Sequence, residues 1–149
     1  MSAGAIGVVY MFGGLGCVIA AASAERLSAR FGGGPVIVHG LILTALAWQA
    51  FGLIGGPVWV ATLLLGLAML VFDFGGVLYG INYLSLRQAI TPDRLLGRMT
   101  ATMRFLTVAM APLGSLVGGV LATYIGLRGT LLTVGVLALV LSGAAVLWS

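Results

Sequence analysis

Tyr79 to Phe105 reads Y-G-I-N-Y-L-S-L-R-Q-A-I-T-P-D-R-L-L-G-R-M-T-A-T-M-R-F, the longest polar interruption in an apolar chain. It holds Arg87, Arg94, Arg98 and Arg104, together with Asp93 and the helix-start signal Thr91-Pro92-Asp93. A threonine hydroxyl can accept a bond from a free first-turn amide, proline suits a first helical position, and an aspartate there faces the positive end of the helix dipole. A helix is therefore expected to begin near Pro92. The sequence on both sides is apolar enough to cross a bilayer, so the stretch reads as a charged loop joining two spanning helices on one side of a membrane.

Composition points the same way. Hydrophobic residues make up 61% of the 149 and charged residues only 7%, against about 25% charged in soluble domains. Mean hydropathy is +1.21. No alternation of polar and apolar residues marks barrel strands, so the expected fold class is all-α: a polytopic transmembrane helix bundle forming a single region. The formal charge of +4 rests on arginine alone. These arginines lie in short segments rather than on a continuous basic face, which argues against nucleic acid as a partner. The single cysteine, Cys17, allows neither an internal disulfide nor a cysteine metal cluster. No metal or other cofactor is expected.

Five spans are predicted, at about 4–23, 36–54, 58–86, 103–124 and 130–148, all but the third near the roughly 20 residues that a crossing requires. The third stretch is too long for one perpendicular crossing, so it tilts or its end projects beyond the bilayer. The first three spans are separated by the loop A-E-R-L-S-A-R-F-G-G-G-P, with Pro35 opening the next helix, and by the turn Gly55-Gly56-Pro57, flanked by the interfacial residues Trp48 and Trp59. Alternation places segments 24–34 and 87–104 on one side with six of the seven arginines, leaving Arg128 opposite. The positive-inside rule makes that side cytoplasmic. The amino terminus is then outside and the carboxyl terminus inside, with Tyr124 marking the outer interface and Tyr83 and Trp148 the inner one. The odd span count and the spans flush with both ends give the expectation of a fragment of something longer.

In order and spacing, these motifs resemble the carboxyl-terminal half of the major facilitator superfamily, helices eight to twelve of a twelve-helix transporter, in its bacterial drug and siderophore efflux branch. Glu25 to Gly34 is similar to the family's G-x-L-a-D-R-x-G-R-R loop at Leu27, Arg30 and Gly32, with Glu25, Ala29 and Gly33-Gly34 departing from it. Arg94, Gly97 and Arg98 resemble the P-x-x-x-R-G-R segment between helices ten and eleven. Pro112, Gly114, Gly118 and Gly119 resemble the G-P-x-x-G-G element of proton-driven antiporters, with Ala111 in place of the first glycine. The resemblance implies two helical bundles rocking about a central cavity, proton-coupled efflux of a small amphipathic molecule, an inner (plasma) membrane location, and an amino-terminal half of the same transporter as partner beside the lipid bilayer.

Individual residues read in two ways. Asp73 lies midway along the third stretch, where an ionised carboxylate costs about 2.5–3.5 kcal/mol; it is either a proton-coupling or substrate-cation site, or an acid hydrogen-bonded between helices. Asn82, Gln49 and Thr44 either line a cavity or bond one helix to another. His39 follows Pro35 closely and reads as interfacial rather than as a relay. Arg94 and Arg98 fall on one helix face, as a gating latch or as topology-setting charge. At Pro112, Gly114 and Gly118 tight helix packing or a bend is expected. No catalytic constellation is present, so the chain is not expected to be an enzyme. The alternative function is a small five-span membrane protein with a structural or assembly role, docking through its glycine-rich faces.

Overall fold

The computed structural model describes residues 2–147, and every regular element in that range is a helix. Helix α1 spans Ala3–Phe31, α2 Gly33–Leu53, α3 Val58–Ile90 and α4 Asp93–Leu147. All four are long and apolar enough to cross a membrane. Glycine supplies the punctuation. Gly32 (φ 85°, ψ 152°) joins α1 to α2, Gly56 has φ 108°, and Gly126 (φ 74°, ψ 164°) divides α4 into segments 93–125 and 127–147. A side chain at a φ and ψ of that kind is strained by roughly 1–3 kcal/mol.

The expected loop at 24–34 is almost wholly helical: α1 continues to Phe31 and only Gly32 interrupts the helix. Alanine, glutamate, arginine and leucine are good helix formers, so the change from apolar to charged residues marks where the helix leaves the hydrocarbon rather than where it ends. Likewise α3 carries Arg87 within its last turn and runs to Ile90, while Asp93 opens α4 and faces its dipole. The Thr91 hydroxyl does not cap α4. It turns back and donates to the Arg87 carbonyl at 2.7 Å, so the residue read as a start signal closes the preceding helix. At 33 residues, α3 is about 50 Å long, well beyond the roughly 30 Å hydrocarbon core.

Central to the packing is α3, with α1 and α2 against it. Phe12 meets Gly66 and Ser28 meets Asn82, so α1 and α3 run in the same direction. Gly40 meets Gly75 and Tyr79, whereas the α2 residues Leu46, Ala50 and Ile54 share a pocket with Leu64, Leu67 and Ala68, so α2 runs antiparallel to both. The segment 127–147 packs on α2 near Gly52 and Gln49, and Arg128 donates to the Ile54 carbonyl at 3.4 Å. Segments 24–34 and 87–92 thus share one end of the bundle, and the Gly55-Gly56-Pro57 turn and Gly126 share the other.

Small residues hold the interior. The buried cluster is Ala20, Ala24, Val36 and Leu78, with Leu27, Phe74 and Val77 against it, while large apolar side chains on every helix face outward. That is the inverse of a soluble core, and it suits a lipid solvent in which helices gain from close backbone approach. Trp48, expected to mark an interface, instead packs edge-on to Phe51 and Phe72 with ring centroids 6.0 and 5.9 Å away. Trp59 is 70% exposed at the start of α3, and Tyr124 is 83% exposed beside the Gly126 break. Trp148, the last residue of the fifth predicted span, lies outside the described residues.

Candidate functional site

The polar groups of the α1–α3 seam form the candidate site. Asp73 stands near the middle of α3, about 22 Å from its start and about 26 Å from its end at 1.5 Å per residue, and is half-buried. Its carboxylate and the Met69 side chain occupy the space that a β-carbon on Gly13 would need. The bare backbone of α1 therefore makes room for the acid. No ion pair or hydrogen bond to the Asp73 carboxylate is present among the described residues.

About two and a half turns further along the same seam, Asn82 is 6% exposed. Its Nδ2 donates to the Leu78 carbonyl at 2.9 Å, which leaves Oδ1 to accept from the Ser28 hydroxyl; that hydroxyl also reaches the Ala24 carbonyl at 2.7 Å. A groove beside this pair is lined by Ala21, Glu25, Ser28, Asn82 and Ser85. Asp73 and Asn82 are thus brought to one helix interface, with Gly13 and Ser28 as the partners that sequence reading did not single out. Gly13 lay in a glycine-rich helix with nothing to set it apart, and Ser28 stands 54 positions from Asn82.

The remaining polar candidates divide between local and interhelical bonds. Thr44 donates to the Gly40 carbonyl one turn back at 2.9 Å. Gln49 Nε2 reaches the Leu132 carbonyl at 3.4 Å, tying α2 to segment 127–147. His39 is exposed near the start of α2, with Nδ1 2.6 Å from the Pro35 carbonyl. A carbonyl can only accept, so Nδ1 carries a proton and Nε2 of the neutral ring is the free acceptor.

The motif arginines stand at the arginine-rich end. Arg30 lies over the Phe31 ring at 5.4 Å, close to Leu27 and Gly32 of the first motif. Arg87 lies over the Tyr83 ring at 5.0 Å, Tyr83 stacks on Tyr79 at 5.3 Å, and an Arg87 guanidinium N–H is directed at the Met99 sulfur. Arg94, Gly97 and Arg98 are exposed on the first turns of α4. Among the described residues no arginine forms a salt bridge, so Arg94 and Arg98 latch none of them.

The tight packing expected at Pro112, Gly114 and Gly118 is not made among the described residues. A β-carbon on Gly114, Gly118 or Gly119 would meet nothing within 4 Å, and nearly all of segment 100–125 is exposed. Pro112 sits inside α4 without a loss of helical backbone angles, and the break falls at Gly126. The described residues hold no group of three or more histidine, cysteine, aspartate or glutamate side chains able to bind a metal.

No protein-family model, curated protein or solved structure matches the chain.

Proposed function

We propose that the chain crosses the membrane five times and works in proton-coupled efflux of a small amphipathic molecule, as part of a transporter of the major facilitator type. The observation that carries the reading is Asp73, an acid at mid-depth of the central helix, seated against the bare backbone of Gly13 and without a cationic partner among the described residues. A carboxylate at that depth is expensive, and intramembrane acids of this kind mark ion or substrate pathways. In this reading Asp73 takes up and releases the coupling proton while α1 and α3, the helices that flank it, form part of the wall of the transport path. Both segments of α4 then count as spans, since 93–125 and 127–147 each exceed the length a crossing requires.

The membrane is the plasma membrane, with the end that bears Arg26, Arg30, Arg87, Arg94 and Arg98 in the cytoplasm. The unpartnered segment 100–125 is where the amino-terminal half of the same transporter would pack. That exposed segment also favours the second reading, a five-span protein whose apolar faces assemble with another membrane protein.

Proteoliposomes holding the product of the full open reading frame test the first reading. An imposed pH gradient should drive dye or amphipathic drug export, and Asp73→Asn should abolish the gradient dependence at unchanged protein level. Transport that ignores the gradient removes the coupling claim, and a fully active Asp73→Asn variant reduces Asp73 to a structural acid.

A further inference from the structure

An apolar pocket of about 280 Å³ lies between α1, α2 and α3 near their arginine-bearing end, lined by Leu27, Phe31, Val36, Leu43, Phe74 and Leu78, with His39 at its edge. Leu43 is seven residues along α2 from Val36, so the pocket descends about 10 Å along the helix, from the level of the last turn of α1 into the span. Its volume is slightly below the roughly 300–1,000 Å³ of sites for drug-sized molecules. It is apolar along its length, and the Arg30 guanidinium lies 5.4 Å from the ring centroid of the lining residue Phe31. Leu27 and Phe31, one turn apart on α1, form one wall, and Arg26 and Arg30 each stand one position before them. Arg30 itself lies over the Phe31 ring. Neither arginine is paired with an acid among the described residues. The nearest acid in sequence, Glu25, lines the groove beside Asn82 and Ser85 instead of this pocket.

We infer that this pocket binds one anionic phospholipid, with part of an acyl chain along Leu27, Phe31, Leu43 and Phe74 and the phosphate at Arg26 and Arg30. The arginines that neighbour Leu27 and Phe31 in sequence select the occupant. A basic site at the surface of a bilayer attracts anionic headgroups by about 1 kcal/mol per arginine, roughly fivefold in affinity each, whereas an apolar slot alone would not distinguish one phospholipid from another. This inference needs only a membrane-embedded chain and stands apart from the transport reading.

The test uses a single-tryptophan reporter, Phe31→Trp, in the full chain with Trp48, Trp59 and Trp148 replaced by Phe. It is reconstituted in phosphatidylcholine vesicles that carry a minor fraction of phosphatidylglycerol, with either lipid brominated in its chains. Quenching by brominated phosphatidylglycerol should exceed that by brominated phosphatidylcholine at equal mole fraction. The preference should fall roughly fivefold for each of Arg26→Gln and Arg30→Gln, and survive Arg94→Gln with Arg98→Gln, which removes equal charge away from the pocket. Leu43→Phe, which fills the slot and alters no charge, should lower the quenching with both arginines in place, and it serves as the deciding variant if the arginine changes impair insertion. Equal quenching by the two lipids, or an equal loss of preference from the Arg94 and Arg98 changes, overturns the proposal.

Discussion

Replacing Gly75 by alanine inserts a methyl group where α2 and α3 come closest. An ideal β-carbon there would lie 2.7 Å from the Gly40 carbonyl oxygen, 2.9 Å from the Thr44 hydroxyl and 3.0 Å from the Leu43 β-carbon. Ordinary contact begins near 3.4 Å, so α2 must retreat by about 0.7 Å (3.4 less 2.7). Thr44 cannot swing away freely, because its hydroxyl is bonded to the Gly40 carbonyl at 2.9 Å. Overpacking of this kind costs about 1–3 kcal/mol. The neighbouring Gly76 is the matched control: it is in the same helix, exposed, with nothing within 4 Å of its β-carbon position. Both substitutions gain the same helix propensity, up to about 1 kcal/mol, so the difference between them isolates the clash. Unfolding in a detergent titration followed by circular dichroism should therefore place Gly75→Ala about 1–3 kcal/mol below Gly76→Ala, a factor of roughly 5 to 150 in the folding equilibrium. Gly40→Ala, which meets the Gly75 carbonyl at the same 2.7 Å, should behave like Gly75→Ala. If Gly75→Ala is as stable as Gly76→Ala, the close approach of α2 and α3 is not as described.

Gly126→Ala should destabilise the fold by roughly 1–3 kcal/mol, since φ 74° with ψ 164° is open to glycine alone, and a thermal melt in matched detergent reads the change. Asn82→Leu should cost about 0.6 kcal/mol and at most about 1.7, measured in the same melts; a larger loss would mean that Asn82 supports more than the Ser28 and Leu78 bonds. With Cys17→Ala as background, cysteines at Gly56 and Gly129 should react with an impermeant thiol reagent in intact cells and one at Thr91 should not; the reverse pattern would invert the orientation.

Much of the architecture was legible because glycine and charge carry it. The breaks at Gly32, at Gly55-Gly56 and at Gly126 fall where the sequence predicts turns, and the sharing of one end by the first and third interruptions follows from alternation. Less legible was how far each helix continues. Glu25, Arg26 and Arg30 looked like loop residues because charge was read as a change of structure, when it is a change of solvent around an unbroken helix. Thr91 carried a start signal that its hydroxyl, turned to Arg87, does not honour. For the site, Asp73 was visible from depth alone. The seat at Gly13 was not, because one glycine among 24 becomes distinct only when the α1–α3 register sets it opposite Asp73.

The two classes of glycine in this chain bear on the unpartnered part of α4. Gly13, Gly16, Gly40, Gly66 and Gly75 all face a neighbouring helix so closely that a β-carbon would press on it, whereas Gly114, Gly118 and Gly119 face open space. Glycine in a helix interior is unfavourable by about 1 kcal/mol relative to alanine, and in lipid that cost is offset where two backbones approach. At the first set the offset is visible. For the second set no neighbour among the described residues supplies it, although segment 100–125 is apolar and spaces Gly114 and Gly118 one turn apart. If a second helix covers that face, Gly118→Leu should not lower the detergent-unfolding midpoint of the isolated chain, its gain in helix propensity if anything raising it, and yet should weaken association with the partner helix in crosslinking or energy-transfer assays in membranes. A midpoint that falls with Gly118→Leu would mean that segment 100–125 packs within the chain after all.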